Sequence, residues 1–155
     1  DLQSGYRWEL AGGSRLRANL TATYYTRYDT QQTPTAPLLE RVGVLGNPLE
    51  VRGRASFGWN YAGFDASVAV SHSDDYLDIT VTPNRKVDAY TTADVTLGYR
   101  FADERGGWFD GVALNVNVQN VFDQDPPFVN STAGFDSTQA SPYGRFTSAS
   151  ITKRW

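Results

Sequence analysis

The chain has 155 residues, 40% of them hydrophobic and 20% charged, with a formal net charge of −3. Aromatic residues make up 14%, too many for a disordered segment, and the acidic balance argues against nucleic acid as a partner. With no Cys and 1 His, disulfide scaffolds, thiol chemistry and Cys- or multi-His metal sites are excluded, so no cofactor or metal is expected. No apolar run approaches the roughly 18 residues that a spanning helix needs, which leaves barrels open because their strands alternate. The chain also lacks Met and any signal-peptide pattern, and it reads as a piece of a longer protein.

In chain order, apolar residues repeatedly occupy one parity and polar residues the other. Leu2, Tyr6, Trp8 and Leu10 oppose Gln3, Arg7 and Glu9. Leu16 to Tyr28 on even positions oppose Arg15, Arg17, Asn19, Thr21, Thr23 and Arg27. Val51, Ala55, Phe57, Trp59 and Tyr61 oppose Arg52, Arg54, Ser56 and Asn60. Phe64, Ala66, Val68 and Val70 follow, then Val95 to Phe101, then Val112, Leu114, Val116 and Val118, and finally the run from Tyr143 to Trp155. Period two sustained over seven segments predicts an all-β chain, an antiparallel meander of seven long strands.

The connections alternate in length. Residues 11–14 and 62–63 are short, 103–110 intermediate, and 32–50, 81–90 and 124–142 long. Trp8, Trp59, Trp108 and Trp155 fall at the short-turn end, while Tyr28, Tyr76, Tyr90 and Tyr143 fall near the long loops. Phe64 to Tyr76 and Tyr143 to Trp155 each span twelve positions on one parity. That predicts two aromatic girdles around an apolar band of about 25 Å. The other parity carries too many arginines to be a core, so the apolar face is expected to meet lipid and the polar face a plugged or wet lumen. Arg7, Arg15, Arg17, Arg27, Arg52, Arg54 and Arg100 would line that lumen.

Some residues carry a more specific pattern. Within the run 115–128 stand Asn120, Phe122, Asp123, Asp125, Pro126 and Pro127. The chain closes with Ser141-Pro142-Tyr143-Gly144-Arg145-Phe146 and Ile151 to Trp155. One strand earlier lie Asp88-Ala89-Tyr90 and Thr92-Ala93-Asp94-Val95. Together these resemble the closing strands of TonB-dependent outer-membrane receptors, specifically in the last two strands and loosely before residue 50. The resemblance implies that residues 1–155 are a partial barrel, the C-terminal arc of a transmembrane β-barrel of about 22 strands. It further implies a bacterial outer-membrane location and a plug domain and remaining barrel strands outside this chain. The implied activity is TonB-coupled uptake of a scarce nutrient such as a ferric siderophore, with the barrel-assembly machinery reading the last strand through Tyr143, Ala149, Ile151 and Trp155.

Beside the resemblance, the motif has a physical reading. Asn120 interrupts the alternation, Asp123 and Asp125 end the strand, and Pro126-Pro127, lacking amide donors, stops the ladder. Gly144 leaves room for Arg145 or Tyr143. Ligand contacts are expected from the loops and their rim, at Arg27, Tyr76, Tyr90, Phe128 and Phe135. His72-Ser73-Asp74-Asp75 holds the ingredients of a hydrolase but places them as strand neighbours, so no enzyme is expected. Asp74, Asp75 and Asp78 lack the spacing of a calcium loop. The competing reading is a soluble β-sandwich ligand-binding module.

Overall fold

The computed structural model describes residues 1–101 and 107–154. Eleven strands occur among these residues: β1 (Leu2–Glu9), β2 (Arg15–Tyr24), β3 (Asp29–Thr30), β4 (Leu39–Glu40), β5 (Val51–Tyr61), β6 (Phe64–Ser73), β7 (Tyr76–Asp78), β8 (Arg85–Val87), β9 (Tyr90–Arg100), β10 (Val112–Gln119) and β11 (Phe146–Lys153). Seven form one sheet in the order β1-β2-β5-β6-β9-β10-β11, every neighbouring pair antiparallel. The ribbons β3–β4 and β7–β8 lie inside long connections. No described segment is an α-helix, and no helix is long and apolar enough to cross a membrane.

The register shows why the alternation matters. Trp8, Leu16, Trp59, Ala66, Leu97, Val116 and Ala149 pair in succession across all seven strands, one apolar side chain from each. The adjacent row is Arg7, Arg17, Gly58, Ser67, Thr96, Asn117 and Ser148. A slip of one residue in any hairpin would mix these rows, so the pattern fixes the register. It also separates two faces, one apolar and one polar.

A single layer leaves its apolar face uncovered. Tyr6, Phe57, Leu97 and Ile151 are 64%, 44%, 55% and 77% exposed. That is far more contiguous apolar surface than a soluble monomer shows, and it is what a lipid-facing wall presents. A sandwich needs a second sheet against this face, and the described residues supply none. The competing reading fails on that point. The outer edges of β1 and β11 are also unpaired among the described residues.

The three long connections, residues 25–50, 74–89 and 120–145, all leave the sheet at one end, and the short turns leave it at the other. At the short-turn end the apolar face carries an aromatic belt. Tyr6 meets Trp8 at 4.7 Å between ring centres, Trp59 meets Tyr61 at 6.2 Å, Phe64 meets Tyr99 at 4.4 Å, and Tyr99 meets Phe101 at 4.8 Å. The Trp59 indole N–H donates to Ser14 Oγ at 2.9 Å, the amphipathic arrangement of a membrane interface. Trp155 lies outside the described residues.

The expected second girdle is corrected. β6 ends at Ser73, so Tyr76 is not its continuation but opens the separate ribbon β7–β8. Tyr90 pairs with Ser73 on the polar face. The last strand begins at Phe146, after Tyr143, and the second ends at Tyr24, before Tyr28. Of the tyrosines near the loops, Tyr24 is the one that a sheet strand places on the apolar parity.

The β5–β6 turn is a two-residue reversal with positive φ at both Ala62 (46°) and Gly63 (86°), the twist a tight hairpin needs. A Cβ at Gly63 would run into the Arg100 carbonyl oxygen. Gly63→Val is expected to destabilise the refolded protein by on the order of 1–3 kcal/mol from the backbone conformation alone, read as a lower urea midpoint.

Candidate functional site: the polar face and its loops

The chain leaves β10 through Asn120, which is 5% exposed and has φ 49°. Its amide donates to Asp94 Oδ1 at 3.1 Å. Its side chain grips Gln124 twice, Nδ2 donating to the carbonyl and Oδ1 accepting from the amide, both at 2.9 Å. Asp123, at φ 56°, donates its amide to the Asn120 carbonyl at 2.9 Å. β10 therefore ends at these left-handed residues, several positions before Pro126-Pro127, which corrects the expectation that the prolines stop the ladder. Asn and Asp tolerate this conformation because their short polar side chains bond to nearby backbone. Asn120→Ala removes the clamp and adds backbone strain. It is expected to cost about 1–3 kcal/mol in urea unfolding of the protein.

Asp123 also joins the two halves of the sequence motif. Its Oδ1 accepts from the Arg145 amide at 2.6 Å, and its Oδ2 lies 3.7 Å from Arg145 Nη2. A Cβ at Gly144 would sit 2.6 Å from Asp123 Oδ1. The space at Gly144 is thus taken by Asp123, not by Arg145 or Tyr143 as expected. Phe122, at 79% exposed, takes no part in this joint. In β11 Ala149 and Ile151, expected to carry the assembly signal, pair with Val116 and Leu114 on the apolar parity.

The loops contain the buried core that the sheet lacks. Leu49 from the first, Tyr76 and Val87 from the second and Val129 from the third pack together, with Leu45 against them. The first two loops also exchange backbone bonds, Leu45 N to Leu77 O at 3.0 Å and Leu77 N to Gly43 O at 2.8 Å. Burial pushes the Tyr76 phenol up to about 12. Asp78 is fully buried, and hydrogen bonds from the Thr80 hydroxyl and amide hold its carboxyl below its ordinary value.

Several expected ligand contacts change under this geometry. Tyr76 is 6% exposed in the loop core, so its ring packs and does not stack on a ligand. Tyr90 is 8% exposed, with its hydroxyl 3.5 Å from the Gln124 carbonyl and 3.4 Å from that of Ser141. Arg27 is paired with Asp29 at 2.6 Å, which neutralises the charge expected to attract an anion. Phe128 keeps an open face, but the Arg85 guanidinium covers the other at 4.6 Å. Phe135 is half-buried in the third loop. Asp75 pairs with Lys86 at 3.1 Å, and no group of three acids or His able to hold a metal occurs among the described residues. The pleat sends His72 and Ser73 to opposite faces, with His72 Nδ1 2.7 Å from Thr91 Oγ1 and Ser73 Oγ 3.4 Å from the Gln139 carbonyl.

The polar face is internally bonded over part of its width. Arg54 bridges to Asp94 at 3.0 Å and bonds Ser71, Arg17 donates to Asn60 Oδ1 at 3.3 Å, and Asn117 donates to Thr96 at 2.8 Å. Arg7, Arg15, Arg52 and Arg100 make no ion pair among the described residues. Arg52 lies under the third loop, a position the alternation assigns to a face but not to a cavity. A large concavity covers each end of this face. The one near the short turns includes Arg7, Arg15 and Arg17, and the one near the loops includes Arg52 and Arg54.

A family model described as TonB dependent receptor-like, beta-barrel, matches residues 1–121. The match reaches back through the strands before residue 50, where the sequence motifs resembled the family only loosely, and it stops short of Asp123 and β11. No curated protein and no solved structure matches the chain. The matched span holds six of the seven sheet strands, the polar face and the first two loops. The chain belongs to the TonB-dependent receptor β-barrel family, whose members are receptors and transporters of the bacterial outer membrane.

Proposed function

We propose that this chain is one arc of the barrel wall of a receptor that imports a scarce nutrient, such as a ferric siderophore, at the expense of TonB-transmitted energy. The family match carries this reading, and the division of the sheet into a lipid-compatible face and an arginine- and hydroxyl-rich face supports it. The unpaired edges of β1 and β11 would be met by further barrel strands, because an open edge in lipid leaves backbone groups without partners. The polar face would surround a plug and the permeant, and the loop cluster would face the outside. The role is that of wall and gatehouse, not of an enzyme.

The test is uptake by cells. A strain deleted for the gene encoding this chain should lose growth on one class of ferric siderophore under iron limitation. Growth should return with the wild-type gene in a TonB-positive strain and fail to return in a TonB-negative one. Undiminished uptake of every iron source in the deletion strain would refute the siderophore reading.

A further inference from the structure

We infer that the apolar face carries a site for a membrane lipid, with an acyl chain in a groove of about 470 Å³ across β1, β2, β5 and β6 and the headgroup phosphate beside His72. The inference concerns the outer side of the wall and is independent of what the receptor imports.

The groove follows from the sizes of the side chains on one parity. Ala18 and Ala55 leave the surface low, and Tyr6, Leu20, Phe57 and Val70 stand around them. In register, Leu20, Ala55 and Val70 form one row across β2, β5 and β6. The next row towards the loops is Ala22, Gly53, His72 and Thr91. Gly53 has no side chain, so the low surface continues past it to the imidazole. A Cβ at Gly53 would lie 3.5 Å from that of Ala22 and narrow the passage.

His72 breaks the apolar pattern at the outer end of β6. Its Nδ1 lies 2.7 Å from Thr91 Oγ1, and Nε2 has no partner among the described residues. A ring that accepts from the Thr91 hydroxyl keeps its proton on Nε2, and a charged ring carries one there too. Nε2 donates in both cases, and a phosphate oxygen accepts. His72 stands eight positions beyond Phe64 of the inner aromatic belt, roughly 20 Å of height for a strand tilted near 40°. The apolar band of such a barrel is about 25 Å tall, so the ring lies near its outer rim, where headgroups begin. Asp74, two residues further out, spends its Oδ1 on the Asp75 amide at 2.9 Å. Two observations select a lipid over a soluble anion. The groove is continuous with the face that meets the bilayer, and the donor at its end matches an anionic headgroup. A soluble anion would gain one hydrogen bond and leave the groove unused.

The experiment is native mass spectrometry of the full-length receptor in detergent, titrated with dioleoyl phosphatidic acid, with dioleoylglycerol and with inorganic phosphate. Phosphatidic acid should bind saturably. Dioleoylglycerol, which lacks the phosphate, and inorganic phosphate, which lacks the chains, should each bind at least about tenfold more weakly. H72L should lower phosphatidic acid binding to the dioleoylglycerol level, and H72Q, which keeps a donor, should fall between H72L and wild type. A55L should fill the groove and weaken phosphatidic acid binding at least about tenfold. L97F, on the same face outside the groove, should leave it unchanged. Ala55 is exposed, so A55L is expected to fold, and it decides the matter if H72L lowers the urea midpoint. The inference is overturned if dioleoylglycerol or inorganic phosphate binds as tightly as phosphatidic acid. It is equally overturned if a folded H72L or A55L binds phosphatidic acid as wild type does.

Discussion

Val116→Arg is expected to destabilise the receptor in a bilayer by about 2–4 kcal/mol, the cost of a cation at the midplane of a lipid-facing strand. Val116 sits between Leu97 and Ala149 in the apolar row, far from both girdle and loops. A neighbouring position on the other parity gives the control. Ser148, paired with Asn117 in the polar row, should accept Arg at a cost within about 0.5 kcal/mol, since a side chain there meets water or polar groups. Urea unfolding of the receptor in lipid vesicles measures both. Equal costs for the two substitutions would contradict the lipid assignment of the apolar face.

Tyr76→Ala is expected to release all three loops at once. The ring is 6% exposed and touches a cluster drawn from residues 25–50, 74–89 and 120–145. Removing a buried aromatic side chain costs roughly 3–5 kcal/mol when the site cannot collapse. That loss should fall on the loop cluster while the sheet ladder stays intact. Amide exchange would then accelerate around Leu49 and Val129 as well as around the substitution itself. Acceleration confined to the second loop would mean that the loops move separately. The third loop also covers the cavity lined by Arg52 and Arg54, so loosening the cluster should open that cavity as well.

The sheet was legible in the sequence because its signal is local and repeated. Val112, Leu114, Val116 and Val118 against Asn115, Asn117 and Gln119 read as a strand without reference to anything distant. Once each strand's parity is known, the turns at 11–14 and 62–63 leave only a narrow choice of register. The polar character of Tyr90 was also present in the pattern, since it shares parity with Thr92, Asp94 and Thr96. Its place near the loops suggested a girdle instead. The loop core was not legible. Leu49, Tyr76, Val87 and Val129 come from three segments and show no common period, so only their assembly reveals them. The joint between Asp123 and Gly144-Arg145 lies between these cases. Both halves stood out as motif residues, but nothing in a linear reading says that the carboxylate fills the space the glycine leaves. Arg52 and Arg54 were similarly visible as cations on the polar face and invisible as the pair lining a cavity under the third loop.

The most direct measurement of the central claim is a spin-label scan of residues 112–119, one position at a time, in the full receptor reconstituted in lipid. Accessibility to oxygen, which concentrates in the bilayer, and to a water-soluble nickel complex are recorded at each position. The structure predicts oxygen maxima at 112, 114, 116 and 118 and nickel maxima or full protection at 115, 117 and 119, two patterns of period two in opposite phase. Oxygen exposure without that alternation, or with its phase reversed, would contradict a barrel wall whose apolar face meets lipid.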